Sequence, residues 1–242
     1  MCEEHLLKTR EDAEKYLSLP PYVPVGSVEP FFALDRQAGD RGIVDVSLGM
    51  NPAGIVADLF GSTRFAEMTI EDRDILHAMM ARLRDGILDT AEWLLARGVG
   101  PFFSILGQEY VAPPLHGLED FREFNVRYDR PITDLIHDAG CYLHVHCHGS
   151  LAAVLPEFIG IADVLHPVEA PPLGDVPARQ AKEVLRGRVC IEGNIQIGDL
   201  YTLAEDEMRA SVAQLIAEAF DDRRGLIVCA SASPYIPEMT PA

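Results

Sequence analysis

Basic residues are in short supply: 20 Lys and Arg stand against 38 Asp and Glu, for a net charge of −18. Such an acidic surface opposes long-range attraction to nucleic acid and to anionic lipid, so neither is expected as a partner. Long hydrophobic runs are also missing. No stretch approaches the ~18 apolar residues of a membrane-spanning helix, and residues 1–10 are acidic and polar where a signal peptide would be charged and then apolar. The expectation is a soluble, cytoplasmic protein with no membrane partner. The five cysteines, Cys2, Cys141, Cys147, Cys190 and Cys229, are odd in number and lack small-scaffold spacing. That fits reduced thiols and argues against a disulfide framework. No G-x-G-x-x-G or G-x-x-x-x-G-K-S/T element follows any β-prone run, which removes the usual nucleotide sites of open α/β sheets. There is no internal repeat, and the Pro-rich stretches 19–24 and 167–177 are too short for interdomain linkers, so one domain over residues 1–242 is expected.

What is present is ordinary globular material: 242 residues, 48% apolar and 24% charged, enough for one sizeable core. Short β-prone runs lie at 43–48, 102–106, 142–148, 163–168, 189–195 and 226–230, with a weaker one at 23–28. Helical patterns separate them. Residues 9–17 open with Thr9 as N-cap and Asp12 three positions on. Residues 69–97 carry Ile75, Met79, Leu83, Ile87 and Leu94 and are closed by Gly98. Residues 118–138 are expected to bend at Pro131, and 204–220 place Met208, Val212, Leu215, Ile216 and Ala219 on one stripe. Strands separated by helices pair in parallel through right-handed crossovers, so the class is α/β. The missing nucleotide loops favour a (β/α) barrel over an open doubly wound sheet.

The segment His144-Val145-His146-Cys147-His148-Gly149 is the richest in chemistry. A strand alternates its faces, so three imidazoles share one side and Val145 and Cys147 take the other. A lone histidine there would be read as a core residue making neutral hydrogen bonds, but three buried together need a shared polar partner. Barrel sites form at the C-terminal rim, which favours His146 and His148, the pair nearest Gly149, as an H-x-H chelate for zinc. Other candidates sit at strand ends: Glu109 and Tyr110, Glu169, Glu192 and Asn194, and Cys229 as a soft third ligand. Cys147, facing away, and Cys190 are read as structural.

The chain resembles the uroporphyrinogen decarboxylase (URO-D) superfamily, which also contains cobalamin-dependent methyltransferases and demethylases. The resemblance rests on His146-Cys147-His148-Gly149, on His166-Pro167-Val168-Glu169-Ala170-Pro171-Pro172-Leu173-Gly174-Asp175, on Glu192-Gly193-Asn194-Ile195, and on the closing run from Ser233 to Pro241. It implies a (β/α)8 barrel of the URO-D/methyltransferase type. In the methyltransferase branch an H-x-C pair and a later cysteine hold zinc, and methyl passes to or from a corrinoid carried by a partner protein. Here His146 stands at the histidine, His148 replaces the cysteine, and Cys229 lies a few residues from the late cysteine. The resemblance thus implies zinc at His146, His148 and Cys229, with Glu109, Glu192 and Asn194 as catalytic candidates. His144, Glu169, Asp175 and Tyr110 are the substrate-binding candidates.

The decarboxylase branch needs no metal and binds a polycarboxylated tetrapyrrole through an R-Q-A-G-R segment and an aspartate. Arg36-Gln37-Ala38-Gly39-Asp40 lies elsewhere relative to the later motifs and is read as chance, so decarboxylation ranks second. A metal-dependent hydrolase ranks third, and a non-catalytic ligand-binding barrel fourth. The resemblance also implies a homodimer and a longer chain. Only six clear β-prone runs are present where eight are needed, so the barrel is expected to be N-terminally shortened. Its open edge would be covered by residues 1–30 or by another subunit, or the chain is a fragment.

Overall fold

Six β-prone runs, each held apart from the next by intervening chain, become six parallel strands in a computed structural model that describes residues 4–232. They are β1 (Asp45–Met50), β2 (Phe102–Leu106), β3 (Tyr142–His146), β4 (Val164–His166), β5 (Cys190–Ile195) and β6 (Leu226–Ala230). The sheet runs β1-β2-β3-β4-β5-β6 in sequence order with every pair parallel, the winding of a β/α barrel wall. Six strands, not eight, lie among the described residues. Within them β1 pairs only with β2 and β6 only with β5, so the wall is partial.

The weak run at 23–28 is not a strand. Pro20, Pro21 and Pro24 withhold ladder donors, and Val23 and Val25 are exposed, so nothing drives this segment onto the free edge of β1. The run at 43–48 is shifted to Asp45–Met50, and the histidine strand stops at His146, two residues earlier than expected. The closing motif from Ser233 to Pro241 and Cys2 lie outside the described residues.

The helices are α1 (Arg10–Ser18), α2 (Glu29–Ala38), α3 (Pro52–Phe60), α4 (Ser62–Glu71), α5 (Arg73–Leu95), α6 (Leu118–Asp120), α7 (Arg127–Asp138), α8 (Ala178–Leu185), α9 (Asp199–Thr202) and α10 (Glu205–Ala219). The expected cap of α1 is present: the Asp12 amide donates to Thr9 Oγ1 at 3.2 Å and the Thr9 amide donates to the Asp12 carboxylate at 3.1 Å. The expected helix over 69–97 is two helices broken at Asp72, whose φ of −129° and ψ of 37° leave the helical region. The irregularity expected at Pro131 sits earlier, as a π-helical segment Phe121–Val126 between α6 and α7. None of these helices is long and apolar enough to cross a membrane.

Alternation along the strands separates two environments. Phe103, Ile105, Leu143, Val145, Leu165 and Ile191 are fully or almost fully buried against the helices, with Ile132 and Ile136 of α7 and Ala181 and Leu185 of α8 in the same core. The intervening residues, among them His144, His146, Glu192 and Asn194, are half-buried on the opposite face. A second core joins α1, α3, α4 and α5 through Ala13, Val56, Phe65, Met68, Leu76 and Met79. Apolar packing of this kind contributes about 1.5–3 kcal/mol per large side chain, so it fixes the strand faces and with them the polar cluster.

Candidate functional site

Register brings the histidines together. His146 ends β3 directly opposite His166, which ends β4, and their rings lie with centroids 4.9 Å apart. His146 Nδ1 is 2.8 Å from His166 Nδ1, and His166 Nε2 is 3.1 Å from the Ala230 carbonyl of β6. A carbonyl only accepts, so Nε2 of His166 carries its proton. Its Nδ1 is then a bare acceptor, and His146 Nδ1–H is the donor. This leaves His146 Nε2 as an unprotonated nitrogen. Burial, reinforced by His148, His166 and His144, pushes the His146 pKa down to about 4, and burial lowers His166 as well, so both rings are neutral near pH 7.

Around this pair stand the other polar groups of the same region. His144 Nε2 lies 3.2 Å from Glu192 Oε2, close but not aligned as a hydrogen bond, and proximity to His144 holds the Glu192 carboxyl below its ordinary range despite burial. His148, just past β3, has Nδ1 3.2 Å from Glu169 Oε2, the same oxygen that accepts the Gly149 amide at 3.1 Å. Its ring meets that of His146 edge-on, with centroids 4.6 Å apart. On β6, the Cys229 thiol is pushed up by burial and then by the neighbouring Glu192 charge.

One group among the described residues could hold a metal ion. His166, Glu192 and Cys229 each offer a ligand atom, and these atoms lie within 4.8 Å of one another. Of the residues expected to bind metal, Cys229 belongs to this group, while His146 and His148 stand beside it. His166 takes the nitrogen position, and His146 touches it. The mixed N, O and S set suits zinc, whose ligands stand 2.0–2.3 Å away and therefore roughly 3.2–3.8 Å from one another. Crowding Cys229 against a carboxylate disfavours the thiolate, whereas a cation between them reverses that preference. Asn194 Nδ2, His144 Nε2 and Glu109 Oε2 are buried without hydrogen-bond partners, as expected of a polar site built to be filled.

The remaining candidates are placed as follows. Glu109 follows β2 in the turn Gln108–Val111, and burial raises its carboxyl. Because its folded pKa lies above its unfolded one, Glu109 lowers stability as pH rises past the unfolded value. Glu109→Gln is accordingly expected to raise the unfolding free energy at pH 8 by about 1 kcal/mol in urea titrations. A less stable variant would show that the carboxylate is held by the fold rather than held for a ligand. Tyr110 packs toward the second core, and Asp175 is exposed, accepting the Ala152 amide at 2.9 Å, so neither joins the histidines. A cavity of about 820 Å³ lies between residues 16–22 and α5 and includes none of these groups. Convergence at four strand ends is the better guide to chemistry here.

Sequence reasoning passed over a buried amide network behind Glu109. Asn51, ahead of α3, accepts the Gly54 amide at 2.8 Å and donates from Nδ2 to Asn125 Oδ1 at 2.9 Å and to both Asp129 oxygens at 3.2 Å. Gln108 Nε2 reaches Asp129 Oδ2 at 2.9 Å. The signal was available in Asn51-Pro52 after a strand, a helix start with N-cap and N1 residues in place.

The profile of the family described as Uroporphyrinogen decarboxylase (URO-D) matches residues 49–241, which span β2 to β6 and the last two residues of β1. Comparison with curated proteins gives no match. With a parallel, barrel-type sheet and polar strand ends inside the matched span, the chain belongs to the uroporphyrinogen decarboxylase family.

Proposed function

We propose that this chain is a metal-dependent methyltransferase or demethylase, moving a methyl group between a small-molecule acceptor or donor and a corrinoid carried by a partner protein. The observation that carries this reading is the His166, Glu192 and Cys229 group, three donors of different softness on three adjacent strands. Zinc held by these residues supplies Lewis acidity that makes a thiol nucleophilic near neutral pH. The rest falls to the chain's own side chains. Glu109, its carboxyl raised by burial and one oxygen unpartnered, takes the proton that leaves the thiol in this reading. His146, neutral, and the His148–Glu169 pair border the site without adding net positive charge near the incoming methyl group. Asn194 offers a free amide donor to orient the acceptor. In this direction the thiol loses its proton, its sulfur gains the methyl carbon, and the corrinoid keeps the electron pair of the broken Co–C bond.

An anaerobic assay with zinc-loaded protein, methylcob(III)alamin and a panel of thiols tests the proposal. The expected result is metal-dependent loss of the methylcobalamin spectrum with growth of cob(I)alamin. Formation of coproporphyrinogen from uroporphyrinogen by metal-free protein, with no methyl transfer, would replace this reading with decarboxylation.

A further inference from the structure

We infer that His146 is not a metal ligand but a positioning residue, the hydrogen-bond partner that sets the tautomer and orientation of His166; the inference rests on the metal reading above. The Nδ1 to Nδ1 contact of 2.8 Å leaves room for one proton between the two rings and no room for an ion. His166 therefore has Nε2 to offer. That nitrogen is on the side of β6, 3.1 Å from the carbonyl of Ala230, the residue after Cys229. Using Nε2 as a ligand requires its proton to leave, and a neutral ring must then carry its proton on Nδ1. Among the described residues, the acceptor at hydrogen-bond distance from that position is His146 Nδ1. Metal binding thus exchanges the tautomers of the pair. His166 passes from Nε2–H to Nδ1–H, and His146 passes from Nδ1–H to Nε2–H. Each ring gives one proton to water and takes one back, so the pair stays neutral. The arrangement matches the general rule that a ligating histidine donates its other N–H to a partner that fixes it, and loss of such a partner costs about 10–100-fold in metal affinity.

Asparagine places its amide oxygen near the position of a histidine Nδ1, so it can accept from His166 but cannot replace a ligating ring nitrogen. This distinguishes a partner from a ligand. The experiment is Co2+ titration of the full chain, followed by the visible d–d bands and by competition with a chromophoric chelator. His146→Ala should weaken Co2+ by about 10–100-fold while leaving the band positions unchanged. His146→Asn should recover affinity to within about threefold of wild type, and its thermal melt provides the folding control. His166→Ala should lose the bands. If wild type shows no Co2+ bands, or His166→Ala keeps them, the metal reading fails and this inference with it. If His166→Ala loses the metal but His146→Ala binds as tightly as wild type, or shifts the bands, or is not rescued by His146→Asn, the metal reading stands and the positioning role is wrong.

Discussion

Cys229→Ala protein is expected to bind zinc at least ~100-fold more weakly than wild type, and Glu192→Gln about 10–100-fold more weakly, in chelator competition at pH 7.5. The two losses have different causes. Alanine removes the only soft donor of the group, whereas glutamine keeps the shape of Glu192 but removes the negative charge that lies beside both the thiol and His144. The pH dependence carries a sign. The Cys229 thiol lies above its ordinary range because burial and Glu192 both disfavour the thiolate, and zinc requires the thiolate. Binding therefore releases a proton, and affinity should rise about tenfold per pH unit up to the thiol's pKa. In Cys229→Ala that slope should vanish. Cys190→Ala serves as the control, since its sulfur lies 3.8 Å from the Ile191 carbonyl and outside the ligand group. Unchanged zinc affinity in Cys229→Ala would remove the metal centre from the proposal.

The legible parts were those that local rules determine. β2 and β6 fall on the expected residues because each is a short apolar run with turns on both sides, and α1 starts where Thr9 and Asp12 complete a capping box. The alternation that buries Val145 and Cys147 and leaves His144 and His146 half-buried follows from a period of two. What local spacing could not supply was register between strands. H-x-H spacing points to His146 and His148 as partners, yet the β3–β4 register sets His146 against His166, and the sheet's curvature brings His166 to Ala230 across β5. The same blindness hid the break at Asp72. Met68 and Ile75 both bury in the second core, so the apolar period runs on while the backbone leaves the helix between them. The buried amide network was invisible for a related reason. Asn51, Gln108, Asn125 and Asp129 come from separate elements, and only tertiary packing makes them one unit.

Asp129→Asn is expected to be more stable than wild type at pH 8 and to lose the share of the pH dependence between about 4 and 7 that Asp129 supplies. Asp129 is 1% exposed, and its neighbours are neutral amides: Asn51 Nδ2 and Gln108 Nε2 donate to it, and among the described residues no cation is paired with it. Burial outweighs those two donors and lifts its carboxyl from 3.8 to about 7. A folded pKa above the unfolded one means that the native state holds the extra proton across this window. The contribution of Asp129 is therefore greatest below the unfolded value, falls as pH rises by up to ~1.4 kcal/mol per unit, and levels off above about pH 7. Gln108 Oε1 favours the protonated form as well. It is buried without a donor, and the two ends of an amide interchange readily, so a protonated Asp129 or an asparagine has an acceptor within the cage. Asn51→Ala should act in the opposite direction at every pH. It removes the cap on Gly54 and strips Asn125 and Asp129 of a shared donor, at a cost of about 2–5 kcal/mol. Urea unfolding at pH 5, 6, 7 and 8 separates these effects. A difference between the wild-type and Asp129→Asn stabilities that stays constant over that range would assign the buried charge to another group. The expected pattern instead makes the Gln108–Glu109 turn the point of coupling. The cage that holds Asp129 also holds Gln108, whose chain neighbour Glu109 is the proton acceptor proposed above.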